Sequence, residues 1–85
     1  MAKVEIPARY RNLTAGTDRL EIDAGNVRQL VTELDSRYPG LADELRRTAT
    51  VAIDGEIVAD SMTAALLKPL ADDSEVLFVP AVSGG

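Results

Sequence analysis

One stretch of this chain sets what the remainder can become. Between residues 27 and 38, Val27, Leu30, Val31, Leu34 and Tyr38 recur at three- and four-residue spacing, with Arg28, Glu33, Asp35 and Arg37 elsewhere. A helix places those apolar side chains on one face. Asn26 is positioned to cap it, because a short polar side chain there can accept from the first unpaired backbone N–H groups. Pro39-Gly40 stops it, and Leu41 and Leu45 support one or two further turns before Arg46-Arg47. A helix with one apolar face needs a second layer to cover that face. With 85 residues the chain makes one small domain with one modest core.

The strand patterns are present on both sides of the helix. Val4 and Ile6 alternate with Lys3 and Glu5 until Pro7 ends regular pairing, and Leu20 and Ile22 alternate with Arg19, Glu21 and Asp23. Residues 8–17 connect them with turn composition at Thr14-Ala15-Gly16-Thr17, so the two strands are expected to form a hairpin. Arg9, Tyr10 and Arg11 fall near that turn as exposed residues that could touch a partner. Val51 and Ile53 mark a third strand, Asp54-Gly55 carries the signature of a type I′ turn, and Glu56-Ile57-Val58 returns. Residues 60–70 hold Met62, Leu66, Leu67 and Leu70, but Pro69 forbids a long helix, and the segment is expected to be irregular. After the turn Asp72-Asp73-Ser74, Val76 and Phe78 would face one side of a last strand and Leu77 and Val79 the other. Apolar residues on both faces predict a central strand buried on each side. One helix packed across a small mixed sheet is an α+β arrangement, and a βαββαβ alternative would need a second full helix.

Composition removes most catalytic chemistries. The chain has no cysteine and no histidine, hence no disulfide, no thiolate nucleophile and no imidazole base. No glycine-rich loop leads into Lys3 or Lys68, so no phosphate cradle is expected. Without a base beside them, the serines and threonines are read as surface and capping residues. Asp72-Asp73-Ser74-Glu75 lacks the ligand ladder and central glycine of a calcium loop. The formal charge of −5 lies entirely in the second half: residues 1–42 carry six basic and six acidic side chains, residues 43–85 three and eight. That balance disfavours nucleic acid and anionic lipid and suits a basic protein surface. The longest apolar run, residues 76–82, has seven residues against the ~20 a spanning helix needs, and no signal peptide is recognisable. A soluble, cytoplasmic protein without nucleic-acid or membrane partners is expected.

What remains is the end of the chain, Val82-Ser83-Gly84-Gly85. Two glycines without Cβ atoms allow the backbone through a narrow channel and leave the last carbonyl open to attack. Glu75-Val76-Leu77-Phe78-Val79-Pro80-Ala81-Val82-Ser83-Gly84-Gly85, following Asp72-Asp73-Ser74, resembles the end of the MoaD/ThiS family of sulfur carriers, and the match extends over the whole chain in length and element order. The resemblance implies a ubiquitin-like β-grasp fold, with residues 1–80 as the domain and 81–85 as a flexible reactive tail. It implies that an adenylating enzyme of the ubiquitin-activating type, using ATP and magnesium, activates Gly85. A persulfide donor then converts it to a thiocarboxylate for a sulfur-accepting biosynthetic enzyme. Gly85 would carry the adenylate and then the sulfur, Gly84 would allow access, and Pro80, Ala81, Val82 and Ser83 would line the entry to the partner's channel. The chain itself would be a co-substrate or a small subunit, as in molybdopterin synthase, with no cofactor bound.

Within that family the small subunit of molybdopterin synthase often has two prolines where this chain has Pro80-Ala81. The ending, with Ile6-Pro7, Arg11-x-Leu13-Thr14-x-Gly16 and Tyr38-Pro39-Gly40, looks closer to the actinobacterial carrier that feeds cysteine synthesis. Two other readings share the fold: a ubiquitin-like modifier joined to target lysines through Gly85, and a β-grasp interaction module with an inert terminus. Which sheet face docks a partner is not legible, although an exposed apolar patch beside the last strand is expected.

Overall fold

The computed structural model describes residues 1–80; the expectations for Ala81, Val82, Ser83, Gly84 and Gly85 lie outside the described residues. Five strands form a mixed sheet in the order β2-β1-β5-β3-β4. They are β1 (Ala2–Glu5), β2 (Arg19–Ile22), β3 (Ala49–Ile53), β4 (Glu56–Ile57) and β5 (Glu75–Pro80). Hairpin β1–β2 is antiparallel, β5 lies parallel to β1, and β3 runs antiparallel to β5 and to β4. The last strand is thus inserted in the middle of the sheet, between its two hairpins.

Helix α1 (Val27–Arg37) buries Val27, Leu30, Val31 and Leu34, the face that its spacing predicts. Asn26 Oδ1 accepts from Gln29 N at 2.8 Å, and Gln29 Oε1 accepts from Gly25 N at 2.8 Å, a reciprocal cap that satisfies two backbone donors. A second helix, α2 (Leu41–Thr48), follows directly. Its capping residue Gly40 offers no side chain and sits at φ 97°, so Asp35 Oδ1 accepts from Gly40 N and Ala42 N across the corner. The core lies between the helices and one face of the sheet, where Val4, Ile22, Val51, Val76 and Phe78 meet Leu30, Leu34, Leu41 and Leu45. Each such side chain contributes about 2 kcal/mol by leaving water.

Four expectations are corrected. Residues 60–70 are not wholly irregular: Met62–Ala65 form one helical turn, α3, because Ser61 Oγ accepts from Ala64 N and buried Met62 and Ala65 anchor it. Tyr10 is not an exposed contact residue but a core residue, 1% exposed, whose hydroxyl lies 2.8 Å from Thr48 Oγ1. Thr14, Thr50 and Ser74 are buried rather than superficial. Each is satisfied locally: Thr14 Oγ1 donates to Thr17 O, Thr50 Oγ1 donates to Ala59 O, and Ser74 Oγ accepts from Ala71 N. Finally, β5 is central in order but is not buried on both sides. Val76 and Phe78 are buried, while Glu75 and Leu77 are exposed, so among the described residues no helix covers the second face of the strand.

Candidate functional site: the open sheet face and the root of the C-terminal segment

The helices occupy one face of the sheet and leave the other open, and period-two alternation decides which side chains stand there. Register places them in rows. Across one row lie Arg19, Glu5, Leu77, Ala52 and Ile57, and the preceding row carries Glu21, Lys3 and Glu75. The face is therefore divided. Its β1–β2 half is a ladder of alternating charge, and its β5–β3–β4 half is apolar, with Ile57 63% and Leu77 38% exposed and Val79 half-buried. Together they line an open concavity of about 830 Å³.

The apolar strip leads to the end of the described chain. On β5 the outward residues are Leu77 and then Val79, and Pro80 pairs with Ala49 at the last position of the ladder. The Asp54-Gly55 turn holds the opposite end of β5. Asp54 and Gly55 take φ 52° and 86°, the left-handed pair that a type I′ turn requires. In that geometry Asp54 N donates to Glu75 O at 2.8 Å and Asp54 Oδ1 accepts from Glu75 N at 2.9 Å. The strand is thereby clamped at its start.

Of the residues singled out from sequence, Pro80 sits at this root, half-buried; Ala81 to Gly85 lie outside the described residues. The exposed apolar patch expected beside the last strand is present, but its residues, Ala52, Ile57, Leu77 and Val79, were not assigned from sequence. Its signal was present as apolar residues on both faces of β5, which sequence reading converts to burial because it does not know that all three helices lie on one side. Among the described residues no group of three or more carboxylates could hold a metal ion, and no helix is long and apolar enough to cross a membrane.

The ThiS family model matches residues 4–85, almost the entire chain. This protein belongs to the ThiS family. Solved structures agree on the fold. A chain of the Amycolatopsis orientalis BexX/CysO complex is 26% identical, with a TM-score of 0.84 and 100% of both chains covered. Small archaeal modifier protein 1 (SAMP1) from Methanosarcina acetivorans is 25% identical, with a TM-score of 0.79, covering 99% of this chain and 95% of that one. A chain of the complex of subunits 1 and 2 of molybdopterin-converting factor from Helicobacter pylori has a TM-score of 0.67 over 99% and 97%; at 18% identity this likeness bears on the fold alone. No curated protein sequence matches the chain. The ThiS-family fold, a ubiquitin-like β-grasp, is the one that the element order predicts.

Proposed function

We propose that this ThiS-family protein is a sulfur carrier, with residues 1–80 as its folded body and residues 81–85 as its reactive tail. The observation that carries the reading is the family match, which runs through the terminal Gly84-Gly85. An adenylating enzyme of the ubiquitin-activating type would bind the tail, with Pro80, Ala81, Val82 and Ser83 at the mouth of its channel and Gly84 giving access. The Gly85 carboxylate attacks the α-phosphorus of ATP, releasing pyrophosphate and leaving an acyl adenylate. The partner's clamps and magnesium stabilise that transfer. A persulfide then displaces AMP, and a thiol cleaves the sulfur–sulfur bond to leave the Gly85 thiocarboxylate.

The folded body is then a handle. The open strip of Leu77, Ile57 and Val79 is continuous with the tail, so burying it on a partner would also aim the tail. The similar Amycolatopsis orientalis chain is in a complex with a second protein, which supports a carrier that works by docking. The thiocarboxylate would serve biosynthesis in the cytoplasm, of cysteine, molybdopterin or another sulfur-containing metabolite, with this chain as co-substrate.

Deleting Gly85 tests the reading: adenylate formation with the cognate activating enzyme should disappear while the thermal midpoint stays unchanged. Undiminished adenylation of the truncated chain would sink it. The likeness to small archaeal modifier protein 1 favours a second reading, conjugation of Gly85 to target lysines. Stable isopeptide-linked products that vanish with Gly85 would favour the modifier, and a sulfur-for-oxygen mass change at Gly85 the carrier.

A further inference from the structure

Strand β2 ends the sheet: it pairs with β1 on one side and, among the described residues, with no strand on the other. Hydrogen-bond parity fixes what that outer edge offers. Ile6 N donates to Asp18 O at 2.8 Å, in line with the β1–β2 register. Bonded and non-bonded pairs alternate along an antiparallel ladder, so Leu20 and Ile22 also turn their backbone groups toward β1. Lys3, opposite Glu21, agrees with that alternation, because its N–H donates to Ser74 O on the β5 side. The backbone N–H and C=O groups of Arg19 and Glu21 therefore point outward along the open edge. Their side chains stand exposed on the uncovered sheet face, while Leu20 between them turns to the helix side and is only half-buried. An unpaired edge is a template for another strand, and charged residues usually discourage such pairing. Here the two charges are opposite in sign and flank Leu20, which makes the edge complementary to itself when reversed.

We propose that β2 pairs with the β2 edge of a second copy of this chain, antiparallel about a two-fold axis through Leu20. Bonds form only where outward-facing residues meet, which leaves registers centred on Arg19, Leu20 or Glu21. The first and last set Arg19 or Glu21 against its own copy, and like charges directly opposite destabilise a strand pair. Centring on Leu20 sets Arg19 opposite the partner's Glu21 on both sides of the axis. Each such pair exchanges both backbone hydrogen bonds, and the two Leu20 side chains meet between them. The row across the junction then runs Glu5, Arg19, the partner's Glu21 and the partner's Lys3, alternating in sign throughout. Just beyond the strand ends, Asp23 falls opposite the partner's Thr17 and Asp18 opposite the partner's Ile22, so neither meets a like charge across the junction. A two-fold pairing uses each β2 edge once and closes at two copies. The apolar strip around Leu77 lies beyond β1 and stays uncovered, so the pairing is compatible with docking there and does not depend on the carrier reading. Each chain carries a formal charge of −5, so two copies repel at long range. One strand pair also buries less than the roughly 1,200 Å² of stable complexes. The dimer is therefore weak and exchanging, with a Kd on the order of 0.1–1 mM.

Sedimentation equilibrium of the full chain, over concentrations spanning that Kd, should show a monomer–dimer equilibrium. Arg19→Glu and Glu21→Arg should each weaken self-association at least about tenfold, because each turns both Arg19–Glu21 pairs into like-charged ones. An equimolar mixture of the two variants should associate as well as wild type, since every pair is again opposite in sign. Damage to the fold would not be reversed by mixing, and circular dichroism of each variant reports it separately. The chain has no cysteine, so Leu20→Cys supplies a single thiol per copy. In the proposed register the two Cα atoms stand about 4.5 Å apart, within reach of a disulfide, and oxidised glutathione should link them. Adding Arg19→Glu to that chain should slow the linking at least about tenfold. A wild-type chain that stays monomeric over the whole range would overturn the proposal and leave the edge to a strand of another protein. So would a mixture no more associated than either variant alone, or linking that is indifferent to Arg19→Glu.

Discussion

At Asp54 a single side chain joins two levels of structure. It adopts φ 52°, a conformation that costs an ordinary residue about 1 kcal/mol and that Asn and Asp tolerate best. It also caps the first backbone donor of β5 at 2.9 Å. Asp54→Ala loses both and should cost about 2 kcal/mol. Asp54→Asn keeps an acceptor and the left-handed preference, and should stay within about 0.5 kcal/mol of wild type. Urea unfolding of the two variants measures the difference, and equal losses would mean that the cap contributes nothing. Gly55, at φ 86°, has nothing within 4 Å of a would-be Cβ. Gly55→Ala should therefore cost only the conformational penalty of about 1 kcal/mol. Both residues are recognisable in the sequence as a hairpin turn. The clamp on Glu75, 21 residues away, is not, because it depends on which strand happens to lie beside the turn.

At the scale of the element, β5 carries opposite duties on its two faces. Phe78 is fully buried and Leu77 is 38% exposed, one position apart. Phe78→Ala should destabilise the fold by about 4 kcal/mol. Leu77→Asp, which sets a carboxylate beside Glu5, should cost about 1 kcal/mol, far less than Phe78→Ala, yet weaken binding to the activating enzyme by tenfold or more, since a residue at the centre of an interface commonly contributes about 2 kcal/mol. Calorimetric titration beside thermal unfolding separates the two effects, and full affinity in Leu77→Asp would move the docking site off this face. The helix α1 was readable throughout, because its four buried side chains all fall on the predicted face. The single turn α3 was not, since four residues give too little periodicity to outweigh Pro69.

For the whole molecule, a Cα radius of gyration of 11.5 Å is close to the ~12 Å expected for one domain of this length. Hairpins and helices share one core, so unfolding should be a single two-state transition, with tryptophan-independent probes such as far-UV circular dichroism and tyrosine fluorescence coinciding. Appending residues after Gly85 should leave that transition in place and, on the proposed carrier reading, abolish activation, because the terminal carboxylate would become an ordinary peptide. Sequence alone determined the five strands, helix α1 and the α+β class, since periodicity and turn chemistry are local properties. Only the tertiary structure decided which strands flank the central β5, that Tyr10 turns inward, and that Leu77 and Ile57 are the residues of the exposed apolar patch. Those outcomes depend on which face the helices cover and on contacts between residues distant in the chain, which no local pattern encodes.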